Sequence, residues 1–282
     1  MAGPVQPSDV THRYLRVKKR FPNVWCAGCG IGVVMGSIIR AIDKLGYSRD
    51  EMVLVSGIGC SSRLPVYCDF NTLHTTHGRA IAFATGVKLA KPSLKVMVVT
   101  GDGDGLAIGG NHFIHACRRN IDITVVLINN YIYGMTGGQF SPTTPHEAFA
   151  TTAPFGNKEK GFDPTSLAKA AGASYVARGT VYHVQQLDKL IIGGLQKKGF
   201  ALVEAISNCH TYYGRLNKEG DAVAMLNRIK ERAIPAKMAA GLPPEKLKDK
   251  FLTGVLWDVD MPEYCEEYQK LIDSLTAEKP KG

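Results

Sequence analysis

The chain has 282 residues, of which 45% are hydrophobic and 21% are charged, as in folded globular proteins. No apolar run approaches the ~20 residues that span a bilayer, so we expect no membrane interaction. The formal net charge of +9 could favour nucleic acid, but the basic residues are scattered and no nucleic-acid motif accompanies them, so we expect no nucleic-acid partner.

The first 22 residues are predicted to form an extended N-terminal arm. This segment lacks the apolar core of a secretory signal, so the expected location is cytoplasmic. Cys26 and Cys29 follow as a C-x-x-C pair with glycines inside and after it, a spacing typical of metal-ligand knuckles and redox pairs. The total of seven cysteines is odd, which argues against a disulfide framework and leaves free thiols or metal ligands.

Helical and strand patterns then alternate along the chain. A helix is predicted over Ile31–Leu45 and a buried strand over Met52–Ser56, which runs into a glycine-rich loop that carries Cys60. A second helix is predicted from about Gly78 to Ala90. Alternation of this kind indicates the α/β class, with a mostly parallel sheet flanked by helices.

One βαβ unit lies in the middle of the chain. Buried strands are predicted at Val96–Thr100 and Ile123–Ile128, with a helix over about Leu106–Arg119 between them. The strands should be parallel, so Asp102 after the first and Asn130 after the second should meet at one edge of the sheet. A carboxylate and an amide oxygen suit Mg²⁺, which leaves its other positions to phosphate oxygens and water.

The turn at residues 101–105, Gly-Asp-Gly-Asp-Gly, favours a phosphate beside this metal. Its glycines let backbone N–H groups approach an anion, and without a metal its two carboxylates would repel one. A lone Gly-Asp-Gly is a common turn, but this one is followed one crossover later by Asn-Asn at residues 129–130. The combination resembles the diphosphate and Mg²⁺ motif of thiamine diphosphate (ThDP) enzymes.

That resemblance implies a set of ligands. Mg²⁺ would be held by the side chains of Asp102 and Asn130 and by the carbonyl of Ile132. The further residues implied to bind the cofactor are Gly59, Ser61, His77, Gly101, Gly103, Asp104, Gly134, Met135 and Thr136.

The segment after the central unit, residues 140–164, is rich in Pro, Thr and Gly and is long enough to be functional rather than a connector. Helices and strands then alternate again. They are predicted at Thr165–Ala171, Ser174–Ala177, Val184–Lys198 and Phe200–Ser207. Residues 216–282 are interpreted as a helical and extended appendage that packs on a partner.

Cys60 and Cys209 each follow a predicted strand, so both can lie at the edge that carries the ThDP motif, and the C-x-x-C pair can complete a set of four. Four thiolates suit zinc or an iron–sulfur cluster, and the long separations favour a cluster over a zinc ribbon. The alternative is that Cys60 and Cys209 are buried as small hydrophobic residues.

Several motifs together resemble one family, the β subunit of 2-oxoacid:ferredoxin oxidoreductases. They are Trp-Cys-x-Gly-Cys-Gly at 25–30, Gly-Ile-Gly-Cys-Ser at 57–61, His-Gly-Arg-Ala at 77–80, Gly-Asn-His-Phe at 110–113 and Ser-Pro-Thr-Thr at 141–144. The resemblance covers about residues 23–215 and implies one α/β domain of the ThDP-binding fold. It also implies a [4Fe–4S] cluster whose ligands are Cys26, Cys29, Cys60 and Cys209.

In this family a 2-oxoacid is decarboxylated oxidatively with coenzyme A (CoA), in a reversible reaction that passes electrons through the cluster to ferredoxin. The resemblance implies a separate α subunit that supplies a glutamate facing the pyrimidine ring and most CoA contacts, in an α2β2 assembly. The likeness is greatest to members that use 2-oxoglutarate, with pyruvate and branched or aromatic 2-oxoacids as alternatives. A subunit of a non-redox ThDP decarboxylase, which needs no cluster, is a more distant alternative.

Three side chains are candidate catalytic residues. His77 and Arg79 precede or open a predicted helix and could contact cofactor or substrate, although a plain helix N-terminus with a solvated arginine is the alternative. Arg63 lies three residues after Cys60 and could bind a substrate carboxylate through a bidentate fork, or it could be a solvated loop arginine.

Overall fold

The structure is a computed structural model that describes residues 7–17 and 22–277. In chain order, its helices are α1 (Pro7–Arg13), α2 (Ile31–Leu45), α3 (Ala80–Ala90), α4 (Gly110–Arg119), α5 (Pro164–Ala170), α6 (Val184–Gln196), α7 (Ala222–Arg232), α8 (Ala236–Ala239), α9 (Pro244–Leu247) and α10 (Tyr264–Ala277). Its strands are β1 (Met52–Ser56), β2 (Asn71–His74), β3 (Lys95–Gly101), β4 (Thr124–Asn129), β5 (Ile132–Tyr133), β6 (Gln139–Phe140), β7 (Tyr175–Thr180), β8 (Ala201–Ile206), β9 (Ala233–Pro235) and β10 (Phe251–Asp258). Further helical turns are a 3-10 turn over Ser61–Val66 and π turns over Asp104–Ile108 and His210–Gly214.

Eight of the described strands form one sheet in the order β2-β1-β3-β4-β8-β7-β10-β9. The strands from β2 to β7 in that order pair in parallel, β10 runs antiparallel to β7, and β9 pairs in parallel with β10. β5 and β6 form a separate antiparallel pair. The predicted α/β fold with a mostly parallel sheet is therefore confirmed.

The sheet is covered on both faces, which explains its nearly unbroken apolar strands. Alternate residues of β1 point to opposite sides, so Met52 and Leu54 join one core cluster whereas Val53 and Val55 join the other. α2 and α6 supply the first cluster, and α3, α4 and α5 supply the second. Parallel strands need crossover connections, which is why helices alternate with strands along the chain.

The bounds of α2 and β1 are those that the sequence predicts. The sequence pattern does not reveal β2 or β10, because both strands are partly exposed and neither is a continuous apolar run. The helix predicted over Leu106–Arg119 is two elements, since the chain makes a π turn before α4 begins. π turns of this kind often occur at functional sites. Within the described ranges, no helix combines the length and apolar composition needed to cross a membrane.

The predicted N-terminal arm, residues 1–22, lies partly outside the described residues. Its described part is not extended as expected, because it forms α1, which lies against α2. After α1, the Tyr14 hydroxyl donates to Asp43 at 2.9 Å and the Arg16 guanidinium donates to the Cys68 carbonyl at 2.9 Å. Side-chain hydrogen bonds thus attach this segment to the domain.

The region after residue 215, interpreted from the sequence as an appendage, returns to the main sheet. β10 pairs with β7 there, and α7 begins against the C-x-x-C loop, where Ala222 is the nearest neighbour of Gly28. α10 leaves apolar side chains exposed, among them Leu271 and Leu275. Contact of this region with a partner subunit stays a prediction.

Candidate active site

The carboxyl ends of β1, β3 and β4 meet at one edge of the sheet beside a cavity of about 430 Å³. Open parallel sheets bind ligands at this edge. The described residues of its wall are Ile58, Gly59, Cys60, Ser61, His77, Gly101, Asp102, Gly103, Asp104, Ile128, Asn130, Ile132, Tyr133, Gly134, Met135, Thr136 and Gln139. Every residue that the sequence assigns to ThDP or Mg²⁺ therefore lies in the wall of one cavity.

Asp102 is buried in this wall, with 3% of its surface exposed. The hydroxyls of Ser141 and Thr143 both donate to its Oδ2, at 2.6 and 2.7 Å, and no described side chain donates to its Oδ1. Burial raises the pKa of Asp102 to about 6, although these hydrogen bonds oppose the shift. No cation of the described chain pairs with this carboxylate, so a divalent cation fits here because it would supply the charge that burial otherwise penalises.

The two asparagines at the end of β4, Asn129 within it and Asn130 just after it, point in different directions. Asn130 lies in the cavity wall, where its Oδ1 accepts a long hydrogen bond of 3.4 Å from the Ile132 amide. Asn129 faces the protein interior and bonds to buried side chains there. Tyr131, between Asn130 and Ile132, makes a turn with a left-handed backbone, φ 64°, a conformation that is strained for a bulky residue. The turn thus brings Asn130 and Ile132 to the same cavity as Asp102.

Asp104 holds three loops of the site together. Its Oδ1 accepts from the amides of Ile58 and Gly78 at 3.1 and 2.7 Å, and it lies 2.8 Å from His77 Nδ1. The Thr100 hydroxyl donates to its Oδ2 at 2.7 Å. Because a carboxylate only accepts, this contact places a proton on His77 Nδ1, and in the neutral ring Nε2 is the acceptor nitrogen. The Asp104 carboxylate is therefore engaged by the protein, and it positions His77 within the wall.

Tyr133 is a wall residue that sequence reasoning missed. Its hydroxyl donates to the Gly103 carbonyl at 3.0 Å, and its ring lies so close that a Cβ on Gly103 would be 2.3 Å away. Burial raises the pKa of Tyr133 to about 12, so the phenol remains protonated at neutral pH. The other wall residues that were missed are Ile58, Ile128 and Gln139. The available signal was that Tyr133 and Gln139 flank the assigned segment 134–136.

The candidate cluster cysteines come from three segments that converge beside the cavity. A Cβ on Gly134, a wall residue, would lie 3.4 Å from Cys60 Sγ and 3.6 Å from Cys209 Sγ, so Gly134 packs against both thiols. Burial raises the pKa of the Cys60 thiol to about 11 and that of Cys29 to about 12, and the neighbouring thiols add to both shifts. Cys26 is exposed, whereas the other three are partly buried.

Backbone amides partly oppose the effect of burial on three of these thiols. They lower the pKa of Cys29 (amide of Ile31), Cys60 (amide of Met135) and Cys209 (amides of Tyr212 and Tyr213). Within the described ranges, no three histidine, cysteine, aspartate or glutamate side chains are arranged to hold a single metal ion. Four thiolates are the donor set of an iron–sulfur cluster, whose ligands lie farther apart than those of a single metal ion.

The three catalytic candidates lie in different places. His77 is in the cavity wall, but Arg63 and Arg79 are not. Arg79 donates to the His77 carbonyl at 3.1 Å. Arg63 is half-buried in the 3-10 turn after Cys60, where no described residue pairs with its guanidinium. The structure thus brings one of the three candidates to the cavity.

Comparison with known proteins gives the class of the chain first. The family model for the thiamine pyrophosphate enzyme C-terminal TPP binding domain matches residues 57–205, the part of the chain that builds the cavity. The fold and the cavity are those of a thiamine pyrophosphate enzyme.

Individual relatives identify the family within this class of enzymes. The chain is 52% identical over 266 residues to the 2-oxoglutarate synthase subunit KorB of Methanocaldococcus jannaschii, covering 94% of this chain and 98% of the relative. It is 51% identical over 258 residues to the subunit of that name in Archaeoglobus fulgidus, covering 92% of each. A solved structure of 2-oxoglutarate:ferredoxin oxidoreductase from Magnetococcus marinus, with 2-oxoglutarate, coenzyme A and succinyl-CoA bound, matches with a TM-score of 0.84 at 33% identity, over 94% of this chain and 90% of that one. The chain belongs to the family of 2-oxoglutarate synthase KorB subunits, so the resemblance inferred from its motifs is confirmed.

Proposed function

We propose that this chain is the ThDP- and cluster-binding β subunit of a cytoplasmic 2-oxoglutarate:ferredoxin oxidoreductase. The reaction is the reversible, CoA-dependent oxidative decarboxylation of 2-oxoglutarate to succinyl-CoA and CO₂, with electrons passed through a [4Fe–4S] cluster to ferredoxin. The observation that carries this proposal is that the cavity and the cysteine set share a wall, at Cys60 and Gly134. A non-redox ThDP decarboxylase would need the cavity but not the cysteines.

Asp102, Asn130 and the Ile132 carbonyl are the proposed Mg²⁺ ligands, and the metal in turn holds the diphosphate of ThDP. When bound, ThDP supplies the nucleophilic carbon and the electron sink of the reaction. The chain contributes the shape of the cavity, since a side chain on Gly101 or Gly103 would collide with Ser61 or Tyr133. His77, held by Asp104, offers an acceptor nitrogen for a proton of cofactor or substrate.

The proposed cluster ligands are Cys26, Cys29, Cys60 and Cys209. Their thiols must lose protons to bind iron, and the amides that point at the sulfurs stabilise the resulting charge. Cys26 is exposed, so the cluster would lie near the surface, where ferredoxin can approach it.

A separate α subunit is proposed to complete the site. The carboxylates in the described wall are Asp102 and Asp104, and no glutamate is among the described wall residues. The α subunit would supply the glutamate that faces the pyrimidine ring and most CoA contacts, in an α2β2 assembly. Exposed apolar side chains in the wall, Ile58 at 41% and Met135 at 46%, favour a partner that covers the cavity.

Substrate choice is proposed to involve Arg63. Arg63 lies outside the described cavity wall, but it follows the wall residue Cys60 by three positions and its half-buried guanidinium has no described partner, which leaves it available for the distal carboxylate of 2-oxoglutarate. Arg63→Ala should then raise KM for 2-oxoglutarate far more than KM for pyruvate. Equal changes in the two constants would remove this role from Arg63.

The test is anaerobic co-expression with a candidate α subunit, followed by an assay of 2-oxoglutarate- and CoA-dependent viologen reduction. Activity should vanish with Asp102→Ala and persist with Asp50→Asn, an exposed carboxylate that serves as control. Removal of Mg²⁺ with a chelator should release ThDP from the unmodified complex and reproduce the loss.

Iron content and visible absorption test the cluster assignment separately from activity. The complex should contain iron and show broad visible absorption that bleaches on reduction. Cys209→Ser should remove that absorption. Cys117→Ser should retain it, because Cys117 is on α4 in the second core cluster, whereas Cys29 and Cys60 pack against the first. A preparation without iron contradicts the cluster assignment. Activity with pyruvate but not 2-oxoglutarate contradicts the substrate while leaving the family reaction intact.

A further inference from the structure

Asn208 is a fully buried polar residue between β8 and Cys209, and the proposed reaction does not use it. Its Oδ1 accepts a hydrogen bond from the Gly30 amide at 3.0 Å, and its Nδ2 donates to the Gly28 carbonyl at 3.0 Å. These two backbone groups flank Cys29. One side chain therefore joins the C-x-x-C loop to the segment that carries Cys209.

An asparagine suits this position because its amide offers one acceptor and one donor to a backbone donor and a backbone acceptor. Asn208 is 178 residues from Gly30 and 180 residues from Gly28, so local chain geometry does not hold these segments together. An aspartate would place an oxygen against the Gly28 carbonyl. A leucine would leave both backbone groups without this partner.

Trp25 fixes the same loop from another side. Its indole Nε1 donates to the Cys60 carbonyl at 2.7 Å, and its side chain is largely buried. Behind the loop, a Cβ on Gly30 would lie 2.5 Å from Ser207 Oγ, so the loop is seated closely against the segment after β8. Trp25 thus joins the C-x-x-C loop to the segment that carries Cys60, and Asn208 joins the same loop to the segment that carries Cys209.

We propose that Asn208 is a positioning residue that holds Cys29 and Cys209 at the separation a [4Fe–4S] cluster requires. This inference rests on the cluster assignment of the proposed function. Asn208 is not in the wall of the ThDP cavity. Its loss should therefore affect the cluster and leave ThDP binding unchanged.

The test compares Asn208→Leu and Asn208→Asp with the unmodified protein, each in the complete complex with α and purified anaerobically. Iron and sulfide per chain, the midpoint potential of the cluster and its rate of bleaching in air are measured. Bleaching should be on the order of tenfold faster in Asn208→Leu, as expected when an outer support of a metal site is lost. The bleaching rate of Asn208→Asp should lie between those of the unmodified protein and Asn208→Leu, because one of the two hydrogen bonds can persist.

Two further measurements make the test specific. The affinity for ThDP with Mg²⁺ should change less than about twofold, because Asn208 bonds to the C-x-x-C loop and is not a residue of the cavity wall. Asn227→Leu, at an exposed position of α7, is the control and should leave iron content, potential and bleaching rate unchanged.

The outcomes are distinguishable. Unchanged iron, potential and bleaching rate in both Asn208 variants would overturn the inference. Equal losses of cluster and ThDP affinity, with a lower unfolding temperature of the apo complex, would also overturn it, because they indicate general misfolding. An unmodified complex without iron contradicts the cluster assignment itself, and with it the inference.

Discussion

Cys60 and Met135 connect the two candidate sites: both residues lie in the wall of the ThDP cavity, and the Met135 amide lowers the pKa of the Cys60 thiol, against the larger effect of burial. The preceding Gly134 packs against Cys60 and Cys209. A short loop therefore separates the space for ThDP from the proposed cluster.

Gly134 should be sensitive to side-chain size. Its φ is not in the left-handed region, so other residues can adopt its backbone conformation. A single Cβ would make ordinary contacts with the two sulfurs. The complex with Gly134→Ala should therefore have the same iron content per chain as the unmodified complex. Gly134→Val adds bulk between the thiols, so we expect several-fold lower iron content. Equal iron content in the two variants, measured per chain, would contradict this packing.

Gly103 should not accept alanine. Its backbone, with φ −67° and ψ −41°, allows any residue, but the new Cβ would overlap the Tyr133 ring. Overpacking of this kind costs about 1–3 kcal/mol, so ThDP affinity should fall by roughly tenfold. Gly86→Ala is the control, because its Cβ meets nothing within 4 Å. Adding Tyr133→Leu to Gly103→Ala should restore part of the affinity, and a lack of rescue would show that the ring is not the obstacle.

Asp104→Asn should lower stability and loosen the cavity. The Asp104 carboxylate accepts hydrogen bonds from two amides and a hydroxyl and contacts His77. An amide would turn an NH₂ group toward some of these donors, and we expect a loss of about 1–3 kcal/mol in the free energy of unfolding. Denaturant titration measures it, with Asp50→Asn as the exposed control. A variant as stable as the control would mean that these bonds do not hold the loops.

Glu204→Gln should destabilise the sheet interior. Glu204 is 1% exposed and accepts from Arg178 Nε at 2.6 Å. Glutamine removes the charged partner of Arg178 Nε and leaves the guanidinium paired with Asp163 alone, 2.7 Å from its Nη2, so we expect a cost of about 1–3 kcal/mol. Glu147, which pairs with Lys158 at the surface, is the control, and Glu147→Gln should cost less than about 1 kcal/mol. Similar unfolding free energies for the two variants would contradict this assignment.

Asp163 should contribute to stability against acid. Burial raises its pKa, but the charge of Arg178 and hydrogen bonds from Thr165 and Ser166 outweigh burial and hold it below the ordinary 3.8. A carboxyl group whose pKa is lower in the folded state than in the unfolded state stabilises the protein at pH values above the unfolded-state pKa. This stabilisation is lost as the pH falls through the folded-state pKa. Asp163→Asn should therefore lower the free energy of unfolding at neutral pH. The difference from the unmodified protein should shrink below about pH 4. Parallel curves of unfolding free energy against pH would contradict this.

Much of the site could be predicted from the sequence because of where its residues stand relative to strands. Asp102 and Asn130 follow strands whose apolar runs are long enough to identify. Parallel strands must end at one edge, so these residues meet there. Tyr133 gave no comparable signal, because its role depends on how a turn folds its ring against Gly103. β10 was missed because a half-exposed strand lacks a strong apolar pattern.

The sequence by itself determined the class of fold, the edge of the sheet that carries the site, and the family, because these follow from apolar patterning and from motifs of adjacent residues. Only the tertiary structure decided that Asn129 bonds to buried side chains in the interior, that Asp104 binds the loops around His77, and that Asn208 joins two distant cysteine segments. Each of these depends on the direction of a side chain and on partners remote in sequence. Hydrogen bonds between such partners form only when the sheet brings their loops together.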